Sequence, residues 1–482
     1  MQTLRTLGFT IIASLALHGI AGAQKWQSLK HPPTFLTDTA LLLTDGTVIV
    51  HEYCSPNWHR LTPDRTGSYV NGSWSKITSM PSDYAPLAFA SGVLPDGRVL
   101  VEGGEFNGAG CPAAETPLGA IYDPVENKWT NVSPPAGWSE IGDSPSIVLP
   151  NGTFMLGQNF TTATAFFNAK TLAWTLKGTG KADRFSEEGW ELLPNGSVLT
   201  VDTQNTPTSE RFLPKSNKWV SAGSTIVDLA DKYSLEIGPA LLRPQGDVFA
   251  MGANATAAGH TALYNTANGK WAAGPDLPSG NDMADAPAAI LPSGNVLCET
   301  SPGLFQPPVT FYEFDGSKFH RVPSPSNTGN PNTSYVGRLL VLPTGQVLYT
   351  VGDGVSMDAE IYTAKGTANS AWAPTVTSAP ATVTRRQSYI ISGTQFNGLS
   401  AGANYGDDAQ MATNYPLVRI TNNASGHVFF ARTHDHSTMG VATGTKKVST
   451  HFDVSAGTET GASSLVVVAN GIASTPVAVT VQ

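Results

Sequence analysis

Short apolar runs come in pairs along this chain, each pair divided by a polar residue and a glycine. Ser146-Ile147-Val148-Leu149 leads into Asn151-Gly152, and Asp96-Gly97 leads out through Arg98-Val99-Leu100-Val101. The same punctuation recurs at Asp45-Gly46, Asn195-Gly196, Gln245-Gly246, Ser293-Gly294 and Thr344-Gly345. An apolar run, a tight turn ending in glycine and a second apolar run predict a β-hairpin with a two-residue turn, the glycine supplying the positive φ. Successive turn glycines are 51, 55, 44, 50, 48 and 51 residues apart. Each hairpin is followed, 22 to 32 residues after its glycine, by an aromatic: Trp74, Trp129, Trp174, Trp219, Trp271, Phe319 and Trp372. Seven copies of a unit near 50 residues long predict a seven-bladed β-propeller.

The blades run over about 34–80, 84–135, 139–180, 184–223, 233–276, 282–323 and 333–372. Pieces such as Ala120-Ile121-Tyr122-Asp123 mark the third strand of each, and the aromatic marks the fourth. Most tryptophans are therefore expected between blades; Trp58 and Trp138, outside the repeat, are the two with a ligand-stacking alternative. Lys25-Trp26 copies the Lys-Trp pairs at Trp129, Trp219 and Trp271 but precedes the first hairpin. Either Trp26 or Trp372 supplies the last strand of blade seven, because an unclosed wheel leaves strand edges exposed. This gives a propeller over 24–374. Beyond Pro374, residues 375–384 are rich in Ala, Pro, Thr and Ser, and short apolar pieces follow at 389–391, 417–420, 427–431, 448–452, 465–468 and 477–481. They predict an immunoglobulin-like (early-set) β-sandwich over 375–482. The fold class is all-β throughout.

Composition narrows the class of protein. Charged residues make up only 13% of the 482, against 48 Gly and 34 Pro, and the net charge is -9 with no basic patch. Nucleic acid and anionic membrane surfaces are therefore poor partners. Residues 1–23 read as a secretory leader: Arg5, an apolar stretch from Leu7 to Ile20, then Ala21-Gly22-Ala23. No later segment is apolar enough to cross a bilayer, so a secreted or periplasmic protein is expected. Three cysteines are too few for a disulfide scaffold. Cys54 and Cys111 follow the second strands of blades one and two, which places them on neighbouring loops where a bridge is expected as readily as not. Cys298 falls inside a strand as a small hydrophobe.

Two groups of residues carry candidate chemistry. Seven to nine residues before the polar member of the turn pair, where the innermost strand begins, five blades carry a carboxylate: Asp38, Asp143, Glu187 (followed by Glu188), Glu236 and Asp285, with Tyr335 in blade seven. In a propeller these starts ring one mouth of the central channel. A ring of carboxylates there favours a cation, calcium suiting its hard oxygens, or the hydroxyls of a sugar. The alternative is that they hydrogen-bond adjacent loops. His434-Asp435-His436 is the most ligand-like cluster, because alternate residues of a strand share a face. Its alternative is a polar loop that docks the second domain on the first. Neither a Gly-x-Ser-x-Gly elbow nor a phosphate loop nor a His-Glu-x-x-His pair occurs.

The Leu-Pro-Asp-Gly-Arg-Val turn, the run from Tyr122-Asp123-Pro124 to Trp129 and Gly103-Gly104 resemble kelch repeats. Seven such blades and a C-terminal sandwich resemble the galactose oxidase and glyoxal oxidase architecture. That resemblance implies one copper held by two tyrosines and two histidines, one tyrosine being cross-linked to a cysteine. Aligned by distance from the turns, Tyr335 matches one tyrosine, but Val336 stands where the family has histidine. The other tyrosine and its cysteine fall on Ala88 and Leu36, and Thr433-His434 matches the last ligand. Valine has no lone pair to donate to copper. Three functions follow. The first is a non-catalytic extracellular protein binding carbohydrate or another small ligand at the acidic mouth. The second is a copper oxidase with a rearranged site of Tyr335, His434 and His436. The third is a structural or adhesive module.

Overall fold

The structure, a computed structural model, describes residues 24–326 and 333–482. The leader predicted over 1–23 lies outside them. Seven antiparallel sheets of four strands form a propeller, followed by a curled β-sheet domain; among the described residues no α-helix occurs. Blade one sets the pattern with Thr37–Leu42, Val48–Glu52, Trp58–Thr62 and Ser73–Lys76, listed from hub to rim. The second strand of each blade is buried on both faces between neighbouring blades, which is why it reads as a continuous apolar run.

Blade seven is closed by the N-terminal end of the described chain. Lys25–Ser28 pairs with Ala359–Thr363, placing Trp26 opposite Tyr362. The Trp26 ring packs 5.1, 5.6 and 4.8 Å from Phe311, Tyr349 and Tyr362. Trp372 instead ends a short 3-10 turn, Ser370–Trp372, and lies over the blade-six turn at Gly294. The fourth strand of blade seven therefore comes from the opposite end of the propeller sequence from the other three.

The seven turns are alike in every blade, but they are one residue longer than expected. Gly97 N–H donates to Leu94 O at 2.9 Å, and Leu94 N–H donates to Arg98 O at 2.8 Å. The same pair of bonds recurs around the other six turn glycines, whose φ angles, with Gly97, span +75° to +92°. This is the three-residue hairpin, a type I turn followed by a left-handed glycine, rather than the two-residue form. The polar residue before the glycine is selected for its side chain. Asp45, Asp96, Asn151 and Asn195 each accept the N–H two residues on, at 2.9, 3.0, 3.1 and 3.0 Å.

In the second domain eight strands lie on one hydrogen-bonded path, with a ninth paired to its side, and the sheet curls over a core including Val383, Ile391, Phe396, Val418, Ile420, Phe452, Leu465 and Val467. The corner is Val428–His434: its first half pairs with Leu417–Asn422 and its last three residues with Val448–Asp453. A strand that changes sheets in this way joins the two halves of a sandwich. The domain docks on the turn face of the propeller. Thr433, His436 and Met439 N–H groups donate to Thr44, Pro95 and Pro150 carbonyls at 3.1, 3.1 and 3.0 Å. The Phe430 ring occupies the space a side chain at Gly46 would need.

A loop of this domain enters the hub. Ala403–Asn404 pairs with Ala288–Ile290, adding a fifth strand inside blade six. The Asn404 amide donates to Trp190 O at 3.3 Å and Ala240 O at 3.1 Å, so the loop is pinned to blades four and five as well. It ends at the mouth opposite the docking face.

Candidate functional site

Each inner strand turns at the docking face and begins at the other, so its first residues surround the far mouth. A cavity of about 870 Å³ opens there, lined by Asp143, Glu236 and Asp285 from strand starts and by Glu105 from the blade-two loop. Tyr405, Asp407 and Asp408 reach it from the inserted loop. The seat of that loop is tight: a β-carbon on Gly406 would collide with Asp285 Oδ1, and one on Gly189 with the Gly406 carbonyl. Glu187 and Asp285 hold φ of +60° and +45°, an uncommon region for side chains of this kind. Such strain persists where the surroundings over-determine it, and it concentrates at functional sites.

The carboxylates crowd one another. One oxygen each from Asp143, Asp407 and Asp408 lies within 4.8 Å of the others, and the same holds for Glu187, Asp285 and Asp407. Asp143 Oδ1, Asp407 Oδ2 and both oxygens of Asp408 are buried without a hydrogen-bond donor. Burial, then the neighbouring negative charges, pushes Asp143, Glu187 and Asp285 well above the usual carboxylate range. The same two causes raise Glu105 to about 7 and Glu236 and Asp407 to about 8. Asp408 rises only to about 6, because Arg338 offsets part of its burial. The Glu236 carboxylate is, after burial, the first cause of the upward shift at Asp285.

Among the described residues Arg338 is the single cation that lines the cavity. Its guanidinium lies 4.1 Å over the Tyr405 ring, 3.7 Å from Asp38, and donates to Tyr335 O at 2.7 Å. The Tyr405 hydroxyl donates to the same carbonyl. At the rim, Tyr335 is half exposed and meets Phe305 edge-on. A disulfide joins Cys54 to Cys111, tying the loops of blades one and two beside the opening. Cys298 is a buried free thiol.

Of the strand-start residues, Asp143, Glu236, Asp285 and Tyr335 line the cavity, and Glu187, outside the lining, brings a carboxylate oxygen within 4.8 Å of Asp285 and Asp407. Asp38 sits behind the wall, bonded to His51 at 3.1 Å and facing Arg338. The pairing of His434 with His436 is corrected. The strand stops at His434 and Asp435 takes a φ of +51°, so alternation ends one residue too soon. His434 stacks instead on His451, its cross-strand partner, and bonds to Asp435 at 2.8 Å and Asp453 at 3.1 Å. His436 is buried at the docking seam, its Nδ1 2.8 Å from Thr450 Oγ1. Trp58 and Trp138 are also buried, so both pack rather than offer a face to a ligand. Glu105, Tyr405, Asp407 and Asp408 escaped the strand-start pattern because three of them lie on the inserted loop and one on a blade loop, whereas Arg338, three residues after Tyr335 on the inner strand Gly337–Val341, is a cation and the pattern picked out acids. The available signal was the stretch of 392–416, too long to leave unassigned inside a compact domain.

No family model matches the chain, and no curated protein does. Among solved structures, a fungal alcohol oxidase of the AA5 family, in complex with copper, superposes with a TM-score of 0.53 at 13% identity, covering 96% of this chain and 100% of that one. The chain has the galactose-oxidase-like propeller fold. The extracellular domain of a one-component system from B. thetaiotaomicron superposes at 0.49 with 10% identity, over 85% of this chain and 52% of that one. A third, YCF48 bound to D1 peptide, superposes at 0.47 with 12% identity, over 71% and 96%. On this galactose-oxidase-like scaffold the residues present do not fit a copper-radical group. Tyr53, Tyr335 and Tyr405 line the cavity, but no imidazole does among the described residues, and Val336 is apolar. The Cys111 sulfur is bonded to Cys54 and is not available to a tyrosine ring. Carboxylate oxygens are hard donors suited to other metals.

Proposed function

We propose that the chain is an exported, non-catalytic binding protein whose acidic mouth takes a carbohydrate. One observation supports this above the rest: carboxyl groups with raised proton affinity surround a single cavity of about 870 Å³. At neutral pH such a group of acids holds some protons and lacks others. It presents hydrogen-bond donors and acceptors side by side, which is what the hydroxyls of a sugar require. Tyr335 and Phe305 at the rim offer apolar faces to a pyranose ring. The oxidase reading draws no support from the geometry, because Tyr335 stands at the mouth while His436 stands at the docking seam.

A glycan array probed with the purified protein tests the proposal. Binding to a defined glycan class is expected, weakened at least about tenfold in Asp143→Asn and Asp285→Asn, the loss of one charge-assisted hydrogen bond each. Binding that both variants leave unchanged moves the site elsewhere. Peroxide production from alcohols by copper-loaded protein, abolished in Tyr335→Phe, would replace the binding reading with the oxidase one.

A further inference from the structure

The two acid triads at the mouth share one residue. Asp407 belongs both to the group with Asp143 and Asp408 and to the group with Glu187 and Asp285. Ligand oxygens bound to a calcium ion lie about 2.4 Å from it, so two of them are at most about 4.8 Å apart. Each triad already meets that limit. Proximity of acids alone would not make a site. The second observation is that Asp143 Oδ1, Asp407 Oδ2 and both Asp408 oxygens are buried, line the cavity and have no hydrogen-bond donor. Asp407 and Asp408 are 1% exposed, and Asp143 is 9% exposed. Bare, desolvated acceptors are costly unless something positive meets them. Among the described residues Arg338 is the one cation lining the cavity, and its single charge is shared by Asp38, Tyr405 and Asp408.

We propose that the mouth holds two hard divalent cations, calcium fitting best, bridged by the Asp407 carboxylate. Asp143 and Asp408 complete one position, and Glu187 and Asp285 complete the other. All the donors are carboxylate oxygens, without an imidazole or thiolate in either triad, which selects against zinc and copper. Calcium also tolerates irregular oxygen shells and leaves positions open for water or a ligand's hydroxyls. Five ionised carboxylates would set five negative charges against the four positive charges of two dications, the metal displacing whatever protons the acids hold. The cradle is built in advance, since Gly406 and Gly189 let the inserted loop sit against Asp285 with no room for a side chain between. The inference rests on the mouth being the binding site and adds what the bound ligand would touch.

Chelator-treated, desalted full-length protein titrated with calcium chloride in a calorimeter tests it. Two equivalents are expected in the unaltered protein, one in Asp143→Asn, one in Glu187→Gln and none in Asp407→Asn up to about 1 mM calcium, the weak end for extracellular sites. Calcium is expected to raise the melting temperature of the unaltered protein and of both single-site variants, which checks that these remain folded. No calcium binding by the unaltered protein, or two equivalents retained in Asp407→Asn, overturns the proposal. Glycan binding that persists in chelator while no calcium is taken up defeats the cation centre and spares the carbohydrate reading. Two calcium equivalents without binding to any glycan do the reverse.

Discussion

Asp407 and Asp408 are neighbours in the chain and equally buried, yet Asp407 rises to about 8 and Asp408 only to about 6. Burial raises both; the guanidinium of Arg338 then pulls Asp408 back. Removing that charge leaves Asp38 and Asp408 without compensation in a dry setting, so Arg338→Met is expected to cost about 3 kcal/mol, read by urea unfolding. His436 behaves in the opposite sense at the docking seam. Burial first, and then His434, lowers its imidazole from the ordinary value to about 3. The unfolded chain therefore takes up a proton that the folded chain refuses once the pH drops below about 6.5. Stability from this group is complete above that value and declines as the pH falls toward 3, by at most about 1.4 kcal/mol per pH unit. In His436→Gln the melting temperature should fall less steeply with acid; equal slopes in the two proteins would exonerate His436.

Elements whose cause is local were legible in the sequence. The seven turns could be counted because a left-handed glycine and an Asp or Asn bonding two residues ahead leave their mark within five positions. Even there one residue of loop length was missed, since two- and three-residue hairpins both place glycine last. Closure of the wheel was ambiguous because Trp26 and Trp372 both fit the spacing, and only strand pairing across the whole propeller separates them. The distinction has an energetic counterpart. Trp26→Ala, which strips a ring from Phe311, Tyr349 and Tyr362, is expected to cost about 3 kcal/mol, and Trp372→Ala, at a short turn, about 1 or less. Equal losses in thermal unfolding would remove the special standing of the first strand. The site was half visible. The strand-start acids follow a fixed offset from the turns, whereas Asp407 and Asp408 lie on a segment with no period at all, positioned by the pairing of Ala403–Asn404 with blade six.

At the scale of the molecule, two cross-connections hold the mouth in shape. Cys54 and Cys111 close a loop across 57 residues, a constraint on the unfolded chain of about 4 kcal/mol in the chain-entropy model. The Cys54→Ser, Cys111→Ser double variant should melt well below the unaltered protein under non-reducing conditions and match it more closely under reduction. The inserted loop is the other connection, and it fixes the order in which the protein becomes competent. A ribosome finishes all seven blades before it translates residue 403, and Lys25–Ser28 must wait for Ala359–Thr363 to find a neighbour. Until that loop is made, blades four, five and six lack the bonds that Ala403–Asn404 gives them. A chain that stops before residue 407 lacks two of the acids that line the mouth, so the set of carboxylates there is completed only after the propeller itself has been made.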